Sequence, residues 1–207
     1  MSGIVFKTFG SWKTVEWLES SRAKDQEIIA IFQAFSAIKE WKLLEELIDQ
    51  ILKSYSVHSA IIPAVKFLGM RLHSEAEEKK QLIKLNNYCI DKLKQRTEIR
   101  PETPSTWERE LIHSCRCIDC TALSSFLSDA ELNTYNFKAS KDRRNHVEEQ
   151  VRKSKCDLDF KTITSGSPHT LSCIKNKKSY ENMNRVYNED TEFLIQLRQL
   201  EEVFSQS

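Results

Sequence analysis

Two cysteines three positions apart, Cys117 and Cys120, can turn both sulfurs toward one cation across a tight turn. Thiolates are soft ligands and suit zinc, which in structural sites takes four protein ligands in a tetrahedron. Two further ligands are then required. Downstream candidates are His146, Cys156, His169 and Cys173; His113 and Cys115 lie upstream. The first choice is Cys117, Cys120, His146 and Cys156, with His146 projecting from a helix. The steps from Cys120 to His146 and from His146 to Cys156 match no common finger spacing, so the fourth position stays open. A redox pair of the thioredoxin kind is disfavoured, because no βαβ pattern precedes the motif.

A second group of side chains is basic. Lys141, Arg143, Arg144, Lys175, Lys177 and Lys178 fall in the same half of the chain and could meet phosphates or an acidic partner. The competing reading is a solvated helix face. Aromatic residues that would stack bases are not interleaved among them, which disfavours sequence-specific RNA reading.

Other chemistry is missing. No glycine-rich dinucleotide or phosphate loop occurs among only four glycines. There is no nucleophile elbow around a serine. Gly166-Ser167-Pro168-His169 reads as a turn rather than a nucleophile beside its base. No histidine has aspartate two positions on, so the iron-binding facial triad is absent. The expectation leans against an enzyme.

The elements that must position these residues are mostly helical. The chain has 207 residues, 40% hydrophobic and 29% charged, with four Pro beside its four Gly, a balance for amphipathic helices rather than turn-rich β structure. Ile28, Ile31, Phe32, Phe35, Ile38, Leu44, Leu47, Ile48, Ile51 and Leu52 recur at helical spacing, with a break expected between Lys39 and Trp41. A segment from Val57 to Leu72 follows, with Pro63 early in it. Ser74 opens a capping box before Leu82, Leu85, Cys89 and Leu93. Pro101 and Pro104 mark a boundary, after which Thr106 to Ile112 reads as a restarted helix. Asn133 to Phe137 is expected to be extended and Lys141 to Lys153 helical. Phe160–Thr164 and Thr170–Ile174 form two strands around Ser165-Gly166-Ser167-Pro168, and a long helix runs from Lys178 to Phe204. Trp12, Trp17, Trp41 and Trp107 read as packing anchors.

The expected fold is therefore mainly α. N-terminal helical hairpins, solenoid-like or an irregular bundle, occupy 1–100, and 101–110 is a linker and restart. A small α+β module with one β-hairpin and a long C-terminal helix fills 111–207. Net charge is only +1, so no global field draws the chain to nucleic acid or to an anionic membrane. No signal-peptide pattern or membrane-length apolar run is present. The expected setting is intracellular, cytoplasmic or nuclear, where thiols stay reduced and the six cysteines are expected to be free, buried or metal-bound rather than paired in disulfides.

The order of short words in the second half adds a resemblance. Cys115-Arg116-Cys117-Ile118-Asp119-Cys120, Phe126-Leu127, Arg143-Arg144-Asn145-His146, Gly166-Ser167-Pro168-His169-Thr170-Leu171 and Cys173-Ile174-Lys175 follow one another across about residues 112–185. This resembles the C-terminal region of large, mostly uncharacterised proteins, many fungal. Some of these are described as 2-oxoglutarate and Fe(II)-dependent oxygenases because of a separate upstream domain. The resemblance implies that Cys117, Cys120 and His146 share one structural unit with the Gly166–Lys175 hairpin. Phe160 and Glu148 stand where such proteins often carry histidine, and the oxygenase domain has no counterpart here.

The expected function is a non-catalytic binding protein with a protein partner and a zinc-stabilised C-terminal module. One alternative is an accessory or remnant segment of an oxygenase-type protein. Another is a nucleic-acid-binding module using the basic 138–178 surface.

Overall fold

A computed structural model of the chain describes residues 21–71, 75–110, 115–154 and 156–206. Trp12, Trp17, Leu72, Ser74, Ile112 and His113, for which the sequence raises expectations, lie outside the described residues. The protein is mainly helical, with a small antiparallel sheet and a long C-terminal helix. Its contacts define two compact units: residues 1–99 with 187–207, and residues 100–186. The sequence pattern assigned the whole last helix to the second module. The structure divides it, because its later turns carry Phe193, Leu194 and Leu197 into the helical core of the first unit.

The first unit contains α1 (Ser21–Ala37), α2 (Trp41–Ser54), a short π-helical turn (Val57–Ile61), α3 (Ile62–Gly69) and α4 (Ala76–Arg96). The last helix, α7 (Lys178–Gln206), supplies its part beyond Tyr187. The apolar stripes read from sequence form one core, including Ile28, Phe32, Leu44, Ile48, Ile51, Leu82, Leu85 and Leu93.

The break before α2 has a clear cause. Glu40 N donates to Phe35 O at 3.1 Å and Lys39 N to Ser36 O at 3.1 Å, with Lys39 left-handed at φ 55°. That is the Schellman arrangement, satisfying the carbonyls α1 leaves unpaired, with lysine where glycine is usual. Pro63 stands in the first turn of α3 directly after the π-helical turn, where Ile62 N donates to Val57 O and proline has no N–H to continue that pattern. Gly69 allows α3 close to α7: an added Cβ would stand 3.1 Å from Leu200 Cδ1.

One buried carboxylate joins three elements of this unit. Asp190 is 1% exposed; it accepts from Arg96 Nε at 2.8 Å and pairs with His58 Nε2. The side chains of His58 and Arg96 are 28% and 48% exposed, so water can solvate both if Asp190 is removed. Asp190→Ala is therefore expected to cost about 1–3 kcal/mol, typical of a lost charged hydrogen-bond partner. It should stay below the ~3–5 kcal/mol of a pair broken with both charges buried. Urea unfolding followed by circular dichroism measures it; no shift in midpoint would refute the assignment.

The second unit holds α5 (Ile118–Ser128), β1 (Thr134–Lys138), α6 (Lys141–Ser154), β2 (Leu158–Ile163) and β3 (Thr170–Lys175), with the first turns of α7. The sheet order is β1-β3-β2 and both pairings are antiparallel. The hairpin expected from sequence is present as β2 and β3, with Gly166 at φ 88° in the connection. The extended segment before α6 becomes a third strand on the other edge of β3, so Cys173 is flanked by Tyr135 and Phe160. Phe137, Leu158, Leu171 and Cys173 pack with Leu123, Phe126 and Leu127 of α5 and Val147 and Val151 of α6.

The expected helix restart at Thr106 is not formed through Glu110. Trp107 N donates to Ala130 O at 2.8 Å and Arg109 N to Leu127 O at 2.7 Å. The segment is non-helical and tied to the end of α5, an interaction that local periodicity does not encode.

Candidate metal centre

Cys117 is the N-cap of α5, with extended backbone (φ −67°, ψ 162°), and its Sγ accepts from Cys120 N at 3.5 Å. A thiol here does the work that serine or aspartate does at other helix starts. Cys120 follows three positions on, in the first turn and fully buried. Cys115 lies in the chain leading into the helix, and His146 reaches in from α6.

His146 Nε2 lies 3.3 Å from Cys115 Sγ, 3.5 Å from Cys117 Sγ and 3.3 Å from Cys120 Sγ. The four ligand atoms all fall within 4.8 Å of one another. One ring nitrogen has a single in-plane hydrogen-bonding position, so it cannot serve three thiols at once. A tetrahedral zinc offers another explanation. Bonds of about 2.3 Å to sulfur and about 2.0 Å to nitrogen place the two ligand atoms roughly 3.5 Å apart. The observed separations suit ligands of a common ion, and Cys115, Cys117, Cys120 and His146 form a set able to hold one metal ion.

The electrostatics agree. The backbone hydrogen bond from Cys120 lowers the Cys117 thiol to about 7, with help from hydrogen bonds of Cys120, Cys115 and His146. Burial, with the neighbouring thiols, pushes Cys120 up to about 12. Thiolates this close repel one another, and a cation held among them would offset that charge.

An ion pair beside the cluster joins the two ligand-bearing helices. Arg143 lies one turn before His146 on α6 and grips Asp119, between Ile118 and Cys120 on α5. Its Nε donates to Oδ2 at 2.8 Å and its terminal nitrogen to Oδ1. The hydrogen-bonded guanidinium holds the Asp119 carboxyl below its ordinary value. Loss of partners that orient metal ligands typically weakens metal binding about 10–100-fold. Arg143→Ala is expected to lose metal to a competing chelator faster by a factor in that range, measured by stopped flow. An unchanged rate would show that the pair does not orient the ligands.

Cys156, the expected fourth ligand, lies elsewhere. It packs against the second core beside the start of β2, and its carbonyl accepts from Leu158 N at 2.8 Å. Burial raises its thiol, the charge of Asp157 adds to that, and the charges of Arg109 and Lys175 oppose it. The entry into β2 keeps it out of the group around His146, and Cys115 is the side chain that stands with Cys117, Cys120 and His146. Cys173 is buried in the sheet core, which pushes its thiol up to about 12. His169 is also outside the cluster; its backbone oxygen accepts from Ala139 N and Arg144. The signal for Cys115 was its position two residues before Cys117, which makes a compact C-x-C-x-x-C run.

Most of the basic residues are engaged within the unit. Arg144 is 8% exposed and donates to the carbonyls of Ala139 and His169. Lys175, 2% exposed, donates to Asp129 O at 2.6 Å, with its ammonium 4.4 Å from the Phe126 ring centroid. Lys177 reaches Pro104 O at 3.2 Å and lies over Trp107. Lys178 pairs with Asp159, and Arg143 with Asp119. Lys141 is exposed at the start of α6. The fold uses five of the six cations as internal partners, which dispersed basic letters in a sequence do not reveal.

No helix among the described residues is long and apolar enough to cross a membrane. Comparisons with family models, with curated proteins and with solved structures find no match to this chain.

Proposed function

We propose that this chain is a non-catalytic binding protein whose second unit is built around a structural zinc ion. Cys115, Cys117, Cys120 and His146 are its ligands. The convergence of three sulfurs on one imidazole nitrogen carries this reading, since hydrogen bonding alone does not account for it. Three thiolates and an imidazole favour zinc over harder ions. Four protein ligands leave no open position for a substrate, as expected of a structural rather than a catalytic site.

The resemblance to C-terminal regions of large fungal proteins extends the proposal to context. On that reading the module works beside domains carried elsewhere, and Cys115 joins Cys117, Cys120 and His146 in the shared unit. The partner is a protein met by the helical unit.

Elemental analysis of purified protein tests the centre. About one zinc per chain is expected, with loss of stability in chelator. A content below about 0.2 zinc per chain, with stability indifferent to chelator, would overturn the reading. Substitution by cobalt adds a check, because a tetrahedral site with three sulfurs gives intense visible absorption that an octahedral oxygen site lacks.

A further inference from the structure

We propose that the centre is a thiol-controlled metal switch: a peroxide joins Cys117 to Cys120 in a disulfide and the zinc leaves. The inference rests on the zinc reading above.

Two features of the geometry select these residues. Cys120 is fully buried, whereas Cys115 and Cys117 are only partly covered, so an oxidant arriving from water meets the latter pair first. Cys117 and Cys120 also bracket one helical turn, with Cys117 Sγ against the amide of Cys120. All three sulfurs lie within 4.8 Å of one another; Cys117 and Cys120 are the pair held together on one helix start, whereas Cys115 lies in the segment before it.

The chemistry balances. The Cys117 sulfur attacks one peroxide oxygen, the O–O bond breaks, and a sulfenic acid and hydroxide form. The Cys120 sulfur attacks that sulfenic sulfur, the S–O bond breaks, and the oxygen leaves as hydroxide. Two protons convert both hydroxides to water. The sulfurs lose two electrons and the peroxide gains them. Cys115 and His146 remain as ligands, too few for a structural zinc site. Of the other cysteines, Cys89 and Cys173 are fully buried; Cys156 is partly covered, as Cys117 is, but it is not among the clustered thiols.

The test uses the full chain loaded with zinc and treated with hydrogen peroxide, with released zinc read by a chromogenic chelator. Trypsin then separates the possible products, because cleavage after Arg116 parts Cys115 from Cys117 and Cys120. The proposed disulfide lies within one peptide, two hydrogens lighter. A bond to Cys115 joins two peptides. The expected result is zinc loss in step with the looped peptide, reversed by reductant and fresh zinc, and unchanged in Cys156→Ser. Zinc held while peroxide oxidises other thiols would overturn the switch and leave the zinc reading standing, as would release through a bond to Cys115. A chain that takes up no zinc at all would overturn both.

Discussion

Cys115→Ser is expected to strip the chain of tightly held zinc, while Cys156→Ser keeps a full complement. Changes in groups that merely orient ligands cost about 10–100-fold in metal affinity, and removing a ligand should exceed that range. The expected loss for Cys115→Ser is therefore above ~100-fold in competition with a chelator of known affinity. Cys156 lies against the second core beside β2, with charged neighbours and no place in the cluster. Its substitution should leave the zinc affinity as it was. The reverse pattern, with Cys156→Ser losing metal and Cys115→Ser retaining it, would show that the ligands rearrange on binding. Loss in neither would sink the cluster as a metal site. Measured together, the two variants decide between the ligand set that spacing suggested and the set that the fold assembles.

That contrast shows where sequence reasoning stopped. Helical periodicity was sufficient for the first unit, because Leu44, Leu47, Ile48 and Ile51 fall on one face and that face is buried. The turn at Lys39 was detectable as a break, although its left-handed lysine was not. In the second half, Cys117, Cys120 and His146 were visible by residue type and order. The choice between Cys115 and Cys156 depended on which one α5 and β2 bring toward α6, and residue type carries no such information. The third strand shows the same difficulty. Tyr135 and Phe137 alternate as a strand should, but their pairing with Cys173 and Leu171 spans a whole helix and hairpin. Lys175 shows it in side-chain form. A lysine in an alternating strand reads as exposed, yet here it ends at the carbonyl of Asp129 at the close of α5.

Removing the metal should loosen one end of the second unit without dissolving the unit. Zinc-finger peptides draw about 10–16 kcal/mol from metal because they have almost no other core. This unit does have one: Leu123, Leu127 and Leu171 are fully buried, and each such side chain contributes about 1.5–3 kcal/mol. The sheet and the middle of α5 are therefore expected to persist after chelation. On the zinc reading, the first turn of α5 and the part of α6 around His146 are expected to depend on the cluster and on the Asp119–Arg143 pair beside it. Without the ion, thiols held this close repel as they ionise, and the pair must hold the two helix starts alone. Hydrogen exchange with and without chelator resolves the outcome along the chain. Amides from Cys120 to Thr121 and in α6 around His146 should exchange faster, while the central strand β3 keeps its protection. Collapse of β3 protection would mean that the ion is needed for the unit to fold. Identical exchange at every amide would mean that the four ligands hold their positions without help from a metal.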